Sequence, residues 1–335
     1  MIRGVLFAIL LLAGVAAAAE TVRLTEGDLE LELDPRVAGR ITSFRLRGGV
    51  NVLCSIATDK LPSPLPGLVC DKDHFLRLYG HVMWLGPQAD WWQQQETEET
   101  AKARRYVWPP DPYWEFAEFT VVSREKGAIV LKSPHSPFSG VTMTKEIRLT
   151  PGGEAVLKTT IENTGSKPVK WGLWSNTRIS GDAVVFALPQ SQKELRFEFS
   201  TWESPRERPL MFDAGEGFIR LPASERQRIP DGGKLTGKLF VLPRKPVIAA
   251  FIGKTLFLKR TKAVAPTEIA PGHSQIELFG EKSNDPARSF YELEFHGEYA
   301  ELVPGQSLSM EETWILRPAR LPGDDRELQR FFDTL

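Results

Sequence analysis

Alternation of apolar and polar residues with period two runs through most of this chain, and it leaves room for little but antiparallel β-structure. Leu29-Glu-Leu-Glu-Leu33 puts three leucines on one face and two glutamates on the other, the pattern of a half-buried strand. Val141, Met143, Ile147 and Leu149 alternate with Thr142, Thr144, Glu146 and Arg148. After the turn Pro151-Gly-Gly153 the pattern resumes over residues 155–163, so the two segments predict a hairpin. Further strands are predicted over residues 40–46, 116–123, 128–132, 169–179, 195–199, 247–252, 255–259, 275–279, 290–295 and 308–316, with Gly, Pro, Asn and Asp in the gaps. Helix signals are scarce. Residues 93–105 are charged without apolar periodicity, which predicts a solvated loop or a short surface helix. At the C-terminus, Asp324 or Asp325 can cap a short helix in which Leu328, Phe331, Phe332 and Leu335 recur at helical spacing. The expected architecture is a single all-β unit, a large antiparallel sandwich over residues 20–318, with a helical tail over 319–335.

The first nineteen residues follow a different pattern. Arg3 supplies a positive start, residues 5–15 are almost unbroken apolar sequence, and Ala16 to Ala19 form a zone of small residues. Those are the three parts of a cleavable secretory signal peptide. The apolar run is about eleven residues, short of the roughly twenty that a spanning helix needs; an uncleaved N-terminal anchor is the alternative. No other stretch is apolar for long enough to cross a bilayer as a helix. The mature protein is therefore expected to be secreted or periplasmic, with no membrane span after cleavage. Charge is balanced, with 42 basic and 43 acidic residues and no basic stripe, so nucleic acid is not an expected partner. Cys54 and Cys70 flank a Pro-rich loop, residues 61–67. Outside the cytoplasm such a pair can close as a disulfide worth about 3 kcal/mol; two buried thiols are the other reading.

Sharp catalytic motifs are missing. There is no Gly-rich phosphate loop, no Gly-x-Ser-x-Gly elbow and no His pair at metal-ligand spacing. With five His and two Cys in the chain, no metal and no cofactor are predicted. Two segments stand out instead. Tyr79-Gly-His-Val-Met-Trp-Leu-Gly-Pro-Gln88 is followed by Trp91 and Trp92, and Trp108-Pro-Pro-Asp-Pro-Tyr-Trp114 comes soon after. Both join aromatics, Pro and an ionisable group in what is predicted to be rigid loop backbone. Flat aromatic faces beside His, Asp, Gln and Arg suit the C–H surfaces and hydroxyls of a sugar. The same residues can equally pin long crossover loops to a sandwich.

The order of these motifs resembles a known group. Leu33-Asp-Pro-Arg-Val-Ala-Gly-Arg-Ile-Thr-Ser-Phe44 is similar to the opening of galactose-mutarotase-like proteins. Gly80-His81 with Trp84 to Gln88, Trp108-Pro-Pro-Asp-Pro112, Tyr291-Glu-Leu-Glu-Phe295, Leu302-Val-Pro-Gly305 and Glu312-Thr-Trp314 resemble one subset, the domain-of-unknown-function family 4380. The resemblance covers most of the mature chain and implies a β-supersandwich, a fold shared by aldose mutarotases, epimerases and non-catalytic sugar-binding domains. Opening a pyranose ring needs a carboxylate to take the anomeric proton and an acid to protonate the ring oxygen. The resemblance makes Glu294 the candidate base, with Glu292 two residues away on the same strand face as runner-up. Mutarotases carry their acid on a mid-chain Asn-His pair. Trp171-Gly-Leu-Trp-Ser-Asn-Thr177 has no His there, a departure that counts against mutarotation and leaves His81 as the candidate acid.

Arg40, Gln88 and Asp111 are then expected to hold sugar hydroxyls, and Trp84, Trp108 and Trp174 to form an apolar platform, with Asn176 and Glu292 completing the binding set. His296 ends the strand carrying Glu294 and is assigned to its opposite face. His74, His135 and His273 fall in loops or turns. Three functions follow: an exported carbohydrate-binding protein, an aldose 1-epimerase-like isomerase, or a non-enzymatic structural or protein-interaction protein of the cell envelope.

Overall fold

Period-two patterning is realised as two ten-stranded sheets packed face to face. The computed structural model describes residues 21–56, 60–69, 75–91, 108–199, 206–215, 217–225 and 227–335. In chain order, β1 (Val22–Glu26), β2 (Leu29–Asp34), β3 (Arg40–Leu46) and β4 (His81–Gly86) come first. A one-turn helix, α1 (Tyr113–Phe116), precedes β5 (Thr120–Arg124), β6 (Ala128–Lys132), β7 (Val141–Leu149) and β8 (Glu154–Asn163). The long β9 (Val169–Ser180) and β10 (Val184–Pro189) lead to the short β11 (Arg196–Glu198), β12 (Glu207–Pro209), β13 (Asp213–Gly215) and β14 (Phe218–Leu221). Six longer strands complete the sheets: β15 (Lys234–Val241), β16 (Pro243–Ile252), β17 (Thr255–Thr261), β18 (Ile276–Ser283), β19 (Phe290–Leu302) and β20 (Ser307–Pro318). The helix α2 (Asp325–Asp333) follows.

The first sheet runs β1-β2-β3-β4-β9-β19-β18-β15-β11, with β12 also on β15; the second runs β13-β14-β10-β16-β17-β20-β8-β7-β6-β5. All neighbours are antiparallel except β12 and β15. The β7–β8 hairpin forms as predicted around residues 150–153. Asp324 caps α2 by accepting a hydrogen bond from Glu327 N at 2.9 Å, and Leu328 and Phe332 bury against Phe186, Phe218 and Phe251 on the outer face of the second sheet. Among the described residues no helix is long and apolar enough to cross a membrane. The predicted signal peptide, Cys70, His74, Trp92 and residues 93–105 lie outside the described residues; so does the expected Cys54–Cys70 bridge, of which Cys54 is the described, half-buried end.

Cross-strand partners share a face, so the registers through the middle of the first sheet divide its side chains into two sets. His81, Thr177, Leu293, Leu278 and Leu239 form one row, and Met83, Ser175, Phe295, Ile276 and Val241 the next. Both rows face the second sheet. There Lys259 of β17, wholly buried, donates from Nζ to Thr177 Oγ1 (2.7 Å) and Leu293 O (3.0 Å) and pairs with Glu312 (3.3 Å). An ammonium out of reach of water needs that many partners.

The alternate rows point the other way. Val82, Asn176, Glu294 and Glu277 form one, Trp84, Trp174 and His296 a second, and Arg178, Glu292, Phe279 and Lys238 a third.

Two expectations are corrected. Residues 81–86 are not loop backbone but β4, a buried central strand between β3 and β9. Its two covered faces remove the alternation that would have revealed it. Residues 116–119 are not strand either: Phe116 ends α1, and β5 begins at Thr120.

Candidate functional site

The outward rows of the first sheet form the floor of a cavity of about 930 Å³. Its described lining includes Trp84, Gln88, Trp108, Trp174, Arg178, Lys238, Glu292 and Glu294. The charges on the floor are tightly ordered. Asn176 Nδ2 donates to Glu294 Oε1 at 2.8 Å and to Glu292 Oε2 at 3.1 Å. Arg178 Nε donates to Glu292 Oε1 at 2.7 Å. Lys238 Nζ bridges Glu294 Oε2 (2.7 Å) and Glu277 Oε2 (2.6 Å). The two cations also lie over indoles: the Arg178 guanidinium is 5.1 Å from Trp84, and the Lys238 ammonium is 4.7 Å from Trp174.

These contacts separate the two carboxyls. Burial pushes both up. For Glu292 the cations Arg178 and Lys238 and the bond from Asn176 outweigh burial and hold it below the ordinary carboxylate value. For Glu294 burial wins over the pull of Lys238, helped by the neighbouring Glu292 and Glu277, and its pKa rises to about 8. Near neutral pH the floor thus offers an ionised carboxylate and a protonated one, joined by one amide, which is the division expected of an acid–base pair.

The tryptophans form a wall as well as a lip. Trp84 and Trp174 meet edge to face with centroids 5.0 Å apart and are almost fully buried. Trp84 Nε1 donates to Glu115 Oε1 at 2.5 Å. Trp108, 6.0 Å from Trp84, is 37% exposed and presents the open aromatic surface.

Several predicted residues converge here and others do not. Glu292, Glu294, Trp84, Trp108, Trp174 and Gln88 line the cleft, and Asn176 joins the carboxylates beneath it. Arg40 lies behind the wall as a buried strut, donating to Tyr79 O (2.6 Å) and Glu115 Oε2 (2.5 Å). Asp111 belongs to a separate small cavity beside Trp91, Trp114 and Trp171. It accepts from Ser136 Oγ (2.6 Å) and Ser139 Oγ (2.8 Å), and burial raises it to about 6.

His81 is on the core side of the sheet, the face opposite to Glu294. Its Nδ1 meets Thr177 Oγ1 at 2.9 Å, its ring abuts Trp314, and burial together with Lys259 and Lys145 holds it well below the ordinary imidazole value. His81 and Glu294 therefore do not meet. His296 corrects the expectation in the other direction. Two residues from Glu294, it shares that residue's face and stacks on Trp174 at 5.1 Å.

Sequence reasoning missed Arg178, Lys238, Glu277 and His273. Arg178 was within reach, being two residues beyond Asn176 and so on its face. Lys238 was not, because residues 234–241 were not read as a strand.

A family model, Domain of unknown function (DUF4380), matches residues 19–317. No curated protein matches the chain by sequence. Among solved structures, a galactose mutarotase-like protein from Lactobacillus casei is similar at 12% identity and a TM-score of 0.55, with 89% of this chain and 100% of that one covered. A galactose mutarotase-like protein from Clostridium acetobutylicum gives 10% identity and a TM-score of 0.53, covering 90% and 96%. A galactose mutarotase related enzyme from Lactobacillus acidophilus gives 8% and 0.51, covering 90% and 100%. At such identities the likeness is one of fold. The architecture and the match over residues 19–317 together make this chain a member of the DUF4380 family, built on the galactose mutarotase-like fold.

Proposed function

We propose that this protein is exported and binds a sugar or short glycan in the cleft on the outer face of its first sheet. The observation that carries the reading is the convergence of Trp84, Trp108 and Trp174 with Asn176, Arg178, Lys238, Glu292 and Glu294 around one cavity. Aromatic surface accommodates the C–H face of a pyranose, and fixed donors and acceptors beside it exchange their bonds for those of hydroxyls. Export rests on the three-part N-terminal sequence. A glycan array followed by calorimetry on the best ligands tests the binding. Saturable binding of at least one neutral glycan is expected, and a blank array over a broad glycan set would sink the proposal. N-terminal sequencing of the protein recovered from an extracytoplasmic fraction tests export.

A second reading, an aldose isomerase, is favoured by one arrangement: Glu292 and Glu294 share the Asn176 amide, while Arg178 holds the first below the ordinary carboxylate value and burial pushes the second above it. The pair supplies proton donor and acceptor without His81. Anomer exchange followed by NMR is expected to exceed the buffer rate and to be lost in Glu294→Gln. No acceleration with any common aldose would leave binding without turnover.

A further inference from the structure

Beside Trp174, on the outer face of the first sheet, two separate pieces of backbone bring three ligand atoms to one point. His273 stands in the turn before β18, Glu277 is near the start of β18, and His296 lies on β19. Glu277 Oε1 is 2.9 Å from His273 Nδ1 and 3.4 Å from His296 Nε2, and all three atoms lie within 4.8 Å of one another. A tetrahedral ion at zinc bond lengths spaces its ligands by about 3.4 Å, and both imidazole nitrogens already stand near that distance from the carboxylate oxygen. A second observation points the same way. His296 is 2% exposed, and its Nε2, aimed at the other two ligands, makes no well-formed hydrogen bond. Buried polar atoms rarely go unpaired without a reason.

We propose that His273 Nδ1, Glu277 Oε1 and His296 Nε2 bind a single divalent transition-metal ion of the zinc class. Two imidazoles and one carboxylate suit zinc and exclude the oxygen-seeking calcium and magnesium ions. The surroundings supply the outer contacts that such sites use to hold their ligands. Lys238 Nζ holds Glu277 Oε2 at 2.6 Å, and Ser274 N–H donates to Oε1 at 3.0 Å. The two imidazole centroids are 4.3 Å apart, and both rings lean on Trp174 with centroids 5.1 Å from it. His273 is the least enclosed of the three ligands. For its Nδ1 to ligate, the single ring proton must sit on Nε2, so the long contact from Gln88 N–H to that atom (3.4 Å) is given up. The proposal does not depend on carbohydrate binding, because the three residues do not line the cleft.

The test uses the untagged protein, stripped with a chelator and titrated with ZnCl₂ by calorimetry. One equivalent per chain is expected, with affinity at least about tenfold weaker in His273→Ala and in His296→Gln. His135→Ala, which removes a surface histidine bonded to Thr164, is expected to change nothing. Cobalt(II) in place of zinc should give a visible ligand-field band that both variants lose. If His296→Gln does not fold, His273→Ala decides, since His273 stands outside the strands and is the least enclosed of the three. No uptake by the wild type, or equal uptake by wild type and His273→Ala, overturns the proposal.

Discussion

The two faces of the first sheet are built from the same strands and offset by one residue, yet they treat charge in opposite ways. On the inner face Lys259, Glu312, Thr177 and His81 form a polar cluster closed off by the second sheet. On the outer face Arg178, Lys238, Glu292 and Glu294 are just as closely paired, but their pairs border a cavity. A buried ion pair says little about function by itself. What distinguishes the outer cluster is that a solute can reach it, and that its two carboxyls are pushed apart in proton affinity.

The comparison can be broken most sharply on the inner face. Lys259→Met leaves Glu312 buried without its counter-charge and is expected to cost about 3–5 kcal/mol in denaturant unfolding; a loss below 1 kcal/mol would show that the inner cluster is wetter than it looks. On the outer face, Trp108→Ala removes the exposed indole and should weaken glycan binding by about 2 kcal/mol, roughly 30-fold, with little change in stability. Unchanged affinity would move the ligand elsewhere.

The third prediction concerns pH. A carboxyl whose folded pKa is raised stabilises the fold fully below its unfolded value and loses that contribution as pH climbs through the folded one. Glu294 therefore makes stability fall as pH rises from roughly 4.5 to 8, and Glu294→Gln should flatten that part of the melting-temperature profile. A parallel shift at all pH values would place its titration outside this window. The smallest effect is expected from His81→Gln, about 1 kcal/mol of stability from one buried hydrogen bond and no change in ligand affinity. A loss of binding there would tie the inner face to the cleft.

Strands that alternate between a buried and a wetter face were legible from that alternation: β6 and β7 have the predicted bounds and β8 differs by a residue at one end, while β3 and β9, buried on both faces over most of their length, were still placed to within a residue. β4 was not: His81-Val-Met-Trp-Leu-Gly86 is short, buried on both faces without a period, and flanked by Gly80 and Pro87, which carry a turn signal. The site was half legible for a related reason. Glu292, Glu294 and Asn176 follow from strand geometry and family likeness. Their partner Lys238 comes from β15, which reaches the floor across β18, and Glu277 from β18 itself. β15 is distant in sequence from β19 and was not predicted as a strand, so Lys238 left no local signal, whereas Glu277 lay on a predicted strand and lacked only its register with β19. His296 needed only a correct count of two. His81 sits in a family-like motif, but which face of β4 it takes depends on the register with β9.

One property of the floor reaches beyond structure. Glu294, bonded to Asn176 and Lys238, has its pKa pushed up by burial to about 8, into the range where proteins are studied. Any solute that prefers one of its two states must take up or release protons as it binds. Association in this cleft is then also a reaction with the buffer, and its measured heat will follow the buffer's own ionisation enthalpy.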